Sequence, residues 1–194
     1  MLILKEVTFR EFESDIYKYY VEAFPSIERQ SKKYMKELSE QNIMKFVKII
    51  DEDEIVGFLI YVTLEDNPYV WLDYFAIRKE YQNKKYGSKA IQIFKNFFSE
   101  YYGIYGEFEK EGLGRDEKEN EVRKRRISFW KKAGFELLDI DVSLYGVIYS
   151  SAVLKLNDSN LANEKIVECG FRLYEAVMGE KEVQKNCFVV DSSN

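Results

Sequence analysis

The stretch that decides the fold is YVWLDYFAIRKEYQNKKYGSKA, residues 69–90. It opens as an apolar run, Tyr69–Ile77, whose length and β-branched and aromatic content predict a strand covered on both faces. It then crosses a polar, lysine-rich turn. At Gly87-Ser88 it takes up a helical spacing that continues through Ala90, Phe94, Phe97, Phe98 and Tyr101. A helix that starts on a glycine-containing loop presents unpaired N–H groups and the positive end of its dipole. Asn83–Ser88 would offer amides there, Gly87 allows close approach, and Lys84 and Lys85 add charge at the rim. Such a turn suits a pyrophosphate. The competing reading is a solvated basic turn capped by Ser88.

Working outward, LILKEV reads as a first strand, and Thr8 with Glu11 forms a capping box for a helix running toward Phe24. Pro25-Ser26 breaks it, and Ser26 is placed to cap a second helix through IERQSKKYMKEL. NIMKFVKII, the turn DEDE and IVGFLIYVT form an antiparallel hairpin. After the 84–101 helix, GIYGEFEKE is a strand and EGLGRDEKENE a charged loop. The next helix sets Val122, Arg126, Phe129, Trp130 and Ala133 on one face and stops at Gly134. FELLDIDVSL and VIYSSAVLKL are two late strands. NDSN, residues 157–160, would cap a last helix carrying Ile166, Gly170, Phe171, Tyr174 and Val177, and NCFVVDSSN is left unassigned. The order β-α-α-β-β-β-α-β-α-β-β-α combines tight hairpins with one strand-helix-strand passage that needs a parallel pair. It predicts an α/β fold with a mixed, mostly antiparallel central sheet flanked by helices.

Composition narrows function. The 194 residues suit a single domain with a sizeable core, with 46% hydrophobic and 16% aromatic residues. A net charge of -5 gives no general pull toward nucleic acid or anionic lipid. No apolar run is long enough to span a bilayer, and the N-terminus does not read as a signal peptide. Two cysteines, Cys169 and Cys187, form no disulfide framework and point to a reducing cytoplasm. There is no histidine, which removes Ser-His-Asp and Cys-His catalysis and His-ligated zinc. Carboxylates, tyrosines, lysines, backbone amides or a cofactor remain. No metal site is expected, and the loop lacks the Gly-Lys-Ser/Thr of a nucleotide P-loop.

The stretch 69–90 resembles the signature of the GNAT superfamily of N-acetyltransferases. In that family a strand resembling LDYFAI runs into Gln/Arg-x-x-Gly-x-Gly/Ala and a central helix. Gln82 takes the first position and Gly87 the last, while Lys85 stands where the pattern has its middle glycine. RISFWKKAGFE, residues 126–136, resembles the family's second signature, with Trp130 where many members have tyrosine. AFPSIER, from residue 23, resembles the first helix-turn-helix of a bacterial branch.

The resemblance implies a domain over residues 1–155, with 156–194 a C-terminal helix and tail packed on it, and a splay between the fourth and fifth strands. It implies acetyl transfer from acetyl-CoA to a primary amine of a small molecule or peptide, and it is compatible with a homodimer. Backbone groups of Phe75, Ala76 and Ile77 would pair with the pantetheine arm, and Gln82, Asn83, Lys84, Lys85, Tyr86, Gly87 and Ser88 would hold the pyrophosphate. Glu107 and Glu109 alternate with Phe108 and are the candidate bases, and Tyr145 or Tyr149 the proton donor to sulfur. Arg126 is expected half-buried and paired with Glu107 or Glu109. The alternative is a catalytically silent acyl-CoA-binding domain.

Overall fold

The computed structural model describes residues 1–157 and 161–190. Its sheet has eight strands in the order β1-β2-β3-β4-β5-β7-β6-β8. These are β1 (Ile3–Val7), β2 (Met44–Asp51), β3 (Glu54–Val62), β4 (Tyr69–Ile77), β5 (Gly103–Glu109), β6 (Glu136–Leu144), β7 (Val147–Lys155) and β8 (Cys187–Val190). The pairs β1–β2, β2–β3, β5–β7, β6–β7 and β6–β8 are antiparallel. β4 and β5 are parallel, as the strand-helix-strand passage requires, with Tyr69, Val70 and Trp71 opposite Gly103, Ile104 and Tyr105. The mixed, mostly antiparallel α/β sheet expected from the sequence is thus present. The contacts divide the chain into two compact units, Met1–Glu65 with Leu72–Ser99, and Asp66–Trp71 with Glu100 onward.

In the first unit Thr8 caps α1 (Phe9–Glu11), with Glu11 reaching back to the Thr8 N–H at 2.9 Å. The helix continues through a π turn, Phe12–Ile16, into α2 (Tyr17–Ala23). Phe12 stacks on Phe46 of β2 at 4.2 Å, and Tyr20 and Phe24 meet the Tyr74 ring of β4 edge-on at 4.9 and 4.8 Å. The second helix does not begin at Ser26. Residues Ser26–Glu28 form one 3-10 turn, and α3 (Lys32–Glu40) starts at Ser31, whose hydroxyl accepts from the Tyr34 N–H. Tertiary hydrogen bonds decide the difference. The Tyr74 hydroxyl donates to the Glu28 carbonyl at 2.6 Å, and the Gln30 N–H donates to the Tyr20 hydroxyl at 2.9 Å, which takes those groups out of a helix ladder. α4 (Tyr86–Phe97) buries Ala90, Ile91 and Phe94.

In the second unit α5 (Glu117–Lys132) is capped by Asp116 and ends at Gly134 with φ +105°. Its buried side is Arg123 and Ile127, one position away from the face expected through Val122, Arg126 and Phe129. The arginine on the buried face is Arg123 and not the expected Arg126, because two carboxylates and a carbonyl receive its N–H groups. α6 (Asn163–Met178) buries Ile166, Val167, Gly170, Leu173, Tyr174 and Val177. Residues 158–160, which the sequence offered as its cap, lie outside the described residues, and the helix starts after Ala162. A further helix, α7 (Glu180–Asn186), follows, and the unassigned tail supplies β8, which pairs with β6. No helix among the described residues is long and apolar enough to cross a membrane.

Candidate functional site

The first unit holds the strand end, loop and helix start of residues 75–88. Gly57 on β3 admits β4 at close range: a Cβ there would lie 2.5 Å from the Ala76 carbonyl oxygen. Arg78 then ties the strand end down. Its N–H donates to the Val56 carbonyl at 2.9 Å, its guanidinium donates to the Ile55 carbonyl at 2.6 Å, and it lies over the Tyr19 ring at 4.1 Å. Phe75 sets its ring edge-on to Phe94 of α4 at 5.7 Å, so its side chain is spent on packing and its backbone is what the strand can offer. The Gln82 amide donates to the Ile77 carbonyl at 3.0 Å, closing the loop on the strand that precedes it.

The loop turns left-handed twice, at Asn83 (φ +62°) and at Lys85 (φ +64°). Lys85 occupies the slot where the resembling pattern has glycine, and its positive φ gives the reason for that glycine. Lys85 is also the residue that precedes α4, and no side chain caps the helix. Ser88 lies two residues inside the helix, so the reading of a Ser88-capped turn is set aside. Lys84 and Lys85 are exposed, and Tyr86 is anchored by its hydroxyl to Asp51 at 2.9 Å. The result is a braced loop ending in an open, positively polarised helix start.

The second unit holds the acids of β5. Glu107 is half-buried and accepts from the Trp71 indole N–H at 3.0 Å. Glu109 is held by two guanidiniums, Arg123 and Arg126, each at 3.0 Å. Arg126 therefore has the partner expected of it, but it is 64% exposed, and Arg123 at 8% is the buried cation. Tyr149 lies opposite Glu109, and Ser151 opposite Glu107, across the β5–β7 ladder. Tyr145 sits with Gly146 in the two-residue turn between β6 and β7, both at positive φ, and its side chain is 57% exposed. Trp130 stacks on Phe108 at 4.9 Å and meets Phe135 edge-on at 5.1 Å.

The sequence reading passed over two groups. Asp73 of β4 is half-buried and takes the Gln30 amide at 3.3 Å, and burial pushes its carboxyl up to about 8. Its signal was a lone acid inside the apolar run Tyr69–Ile77. Tyr174 of α6 is fully buried, and its hydroxyl donates to that of Tyr105 at 2.9 Å. Its one signal in the sequence was its place at helical spacing with Ile166, Gly170 and Val177, in a chain with 15 tyrosines. Among the described residues no group of His, Cys, Asp and Glu is arranged to hold a metal ion.

Comparison with known proteins supplies the family. No curated protein matches the sequence. A GNAT-family protein of Bacteroides thetaiotaomicron is 22% identical, with a TM-score of 0.71 over 91% of this chain and 98% of its own. The ribosomal-protein-S18-alanine N-acetyltransferase of Escherichia coli is 12% identical, with a TM-score of 0.58 over 83% and 99%. A GNAT acetyltransferase of Elizabethkingia anophelis solved with acetyl-CoA is 15% identical, with a TM-score of 0.54 over 80% and 98%. At these identities the likenesses speak for the fold. The sequence profile of the acetyltransferase (GNAT) family matches residues 10–135, most of the chain, and the chain belongs to that family.

Proposed function

We propose that the protein transfers the acetyl group of acetyl-CoA to a primary amine of a small molecule or peptide by direct attack. The observation that carries this reading is the braced loop of residues 78–88, which leaves the α4 start uncapped in a chain of this family. Backbone groups of Phe75, Ala76 and Ile77 extend along the pantetheine arm as an added strand would. Gln82, Asn83, Lys84, Lys85, Tyr86, Gly87 and Ser88 hold the pyrophosphate, through amides and two lysine charges. Residues 1–155 are read as the acetyltransferase domain and 156–194 as its C-terminal extension. Free Cys169 and Cys187 agree with a cytoplasmic protein.

The acceptor arrives as an ammonium and must lose a proton before its nitrogen attacks the acetyl carbon. Glu107 takes that proton, directly or through water, and Glu109 keeps the neighbouring charge fixed through its arginines. The C–N bond forms, the tetrahedral oxyanion takes an N–H near Phe75, and the C–S bond breaks to release coenzyme thiolate. A late tyrosine, Tyr145 or Tyr149, gives its proton to sulfur and is reprotonated, through water, by the second proton that the new amide nitrogen sheds. Asp73 is a second candidate base, because a carboxyl titrating at about 8 is matched to accepting a proton near neutral pH.

A panel of amines assayed for CoA release with acetyl-CoA tests the reading. Glu107→Gln should lower kcat by about 10²–10⁴-fold with coenzyme affinity retained. If Glu107→Gln is fully active and Asp73→Asn is not, Asp73 is the base. Tight acetyl-CoA binding with no turnover on any amine replaces the transferase by a silent binding domain, for which Trp130 in the place of a tyrosine already argues.

A further inference from the structure

In the second unit a closed ring of contacts fixes an indole against Glu107. Trp71 is the last β4 residue in the parallel ladder with β5, where it stands opposite Tyr105. Its indole N–H reaches past that pair and donates to a Glu107 carboxylate oxygen at 3.0 Å. The Tyr174 ring of α6 meets the indole edge-on at 4.9 Å. The Tyr174 hydroxyl donates to the Tyr105 hydroxyl at 2.9 Å, which leads back to the strand that carries Glu107. Trp71 is 7% exposed, and Tyr105 and Tyr174 are fully buried. Helix α6 reaches this depth because position 170 is glycine: a Cβ there would lie 2.5 Å from the Tyr105 ring. The helix lies beyond the stretch matched by the family profile, which ends at residue 135.

We propose that Trp71 is a positioning residue for the proton-transfer step: its indole N–H orients the Glu107 carboxylate and favours its charged form. The inference rests on the acetyl-transfer reading, in which Glu107 is the base. An indole nitrogen donates and does not accept, so Trp71 cannot take the proton itself. A buried indole N–H needs a partner, and leaving it without one is costly, so the bond is kept in both states of Glu107. Its strength differs between them, because a hydrogen bond to an ionised acceptor is roughly twice as strong as one to a neutral acceptor. Trp71 therefore stabilises the carboxylate over the carboxylic acid. In the transfer step the ammonium N–H bond breaks, its electron pair stays on nitrogen, and an O–H bond forms on Glu107, while the indole keeps its hydrogen. The indole is rigid and the Tyr174 ring packs against it, so the direction of the donor is set before the amine arrives.

The titratable neighbours of Glu107 keep one charge state across neutral pH. Tyr105 lies on its own strand, Tyr174 comes from α6 and Cys187 from β8. Burial first, and the Glu107 charge second, push all three above their ordinary values and keep them neutral at pH 7. Ser151 of β7 stands opposite Glu107 in the ladder. The next acid on β5, Glu109, is held by the guanidiniums of Arg123 and Arg126. A substitution at Trp71 is therefore read at Glu107 itself.

Protein labelled with ¹³C at the glutamate side-chain carboxyl reads Glu107 without turnover, and Glu107→Gln assigns its signal. Trp71→Phe keeps an aromatic ring and removes the donor. It should move the Glu107 midpoint upward by about one pH unit, the difference between a hydrogen bond to a charged group and one to a neutral group. With one amine used throughout, the acid limb of the kcat/KM profile for CoA release should move up by the same amount, while the rate well above it recovers. A midpoint that stays in place overturns the inference, and a rate lowered equally at every pH is then the mark of a purely structural role. If Trp71→Phe does not fold, the indole N–H signals decide. The chain has two tryptophans, so Trp130→Phe assigns them in a ¹H–¹⁵N spectrum. Glu107→Gln should displace the Trp71 signal and remove its step with pH, and an unchanged signal overturns the inference. A midpoint that moves without the rate profile keeps Trp71 as the support of the Glu107 charge and ends the assignment of Glu107 as the base.

Discussion

Replacing Arg123 and Arg126 by alanine should separate two cations that share one carboxylate. Arg123 is 8% exposed and donates to Glu109 at 3.0 Å, to Glu119 at 2.7 Å and to the Lys110 carbonyl at 3.3 Å. Breaking a buried pair costs roughly 3–5 kcal/mol when the remaining charge is left alone. Here Glu109 keeps Arg126 and Glu119 keeps Arg115, and both acids are partly solvated, at 29% and 23% exposure. That reduces the cost of Arg123→Ala to about 2 kcal/mol, from lost hydrogen bonds and lost packing of the arginine stem. For a chain of this size 1 kcal/mol moves the melting temperature by about 2–4 °C, so a fall of about 4–8 °C is expected. Arg126 is 64% exposed, and its pair belongs to the surface class worth about 0–1 kcal/mol. Thermal unfolding followed by circular dichroism measures both. Added salt should erase the Arg126→Ala effect and leave most of the Arg123→Ala effect, because buried pairs are screened less. Equal shifts for the two variants, or a larger one for Arg126→Ala, would refute the assignment of the buried face.

Lys85→Gly should raise the melting temperature, because a lysine at φ +64° carries strain of about 1–2 kcal/mol that glycine lacks, and a fall would show that Lys85 contacts outweigh the strain. Gly170→Ala should destabilise by about 1–3 kcal/mol despite alanine's better helix propensity, since the new Cβ would meet a buried ring at 2.5 Å; calorimetry decides it. Asp73 titrates at about 8 in the folded chain against an ordinary 3.8, so between those values the folded state binds more protons than the unfolded state. Its contribution to stability is complete below about 4 and is lost as pH rises toward about 8. Asp73→Asn should therefore gain on the wild type across that window in urea titrations at stepped pH, and a difference that stays flat with pH would place Asp73 in water.

The sequence by itself determined the elements and their order from β1 to α6, though not α7 or β8. Alternation, glycine stops and the Thr8–Glu11 capping box act within a few residues, so the hairpin at residues 51–54, the parallel passage from β4 to β5 and the helix start after Lys85 could all be read locally. The left-handed turns at Asn83 and Lys85 were not legible, since neither position is glycine. Tertiary structure decided what depends on partners distant in the chain. Tyr74 and Tyr20 hold Glu28 and Gln30 out of the second helix, and two carboxylates draw Arg123 instead of Arg126 onto the buried face of α5. Likewise, the two acids of β5 look equivalent by alternation, yet Glu109 meets two arginines while Glu107 accepts from the Trp71 indole of β4. The energy of a charge is set by the donors and the water around it, and those come from elements that local periodicity does not bring together.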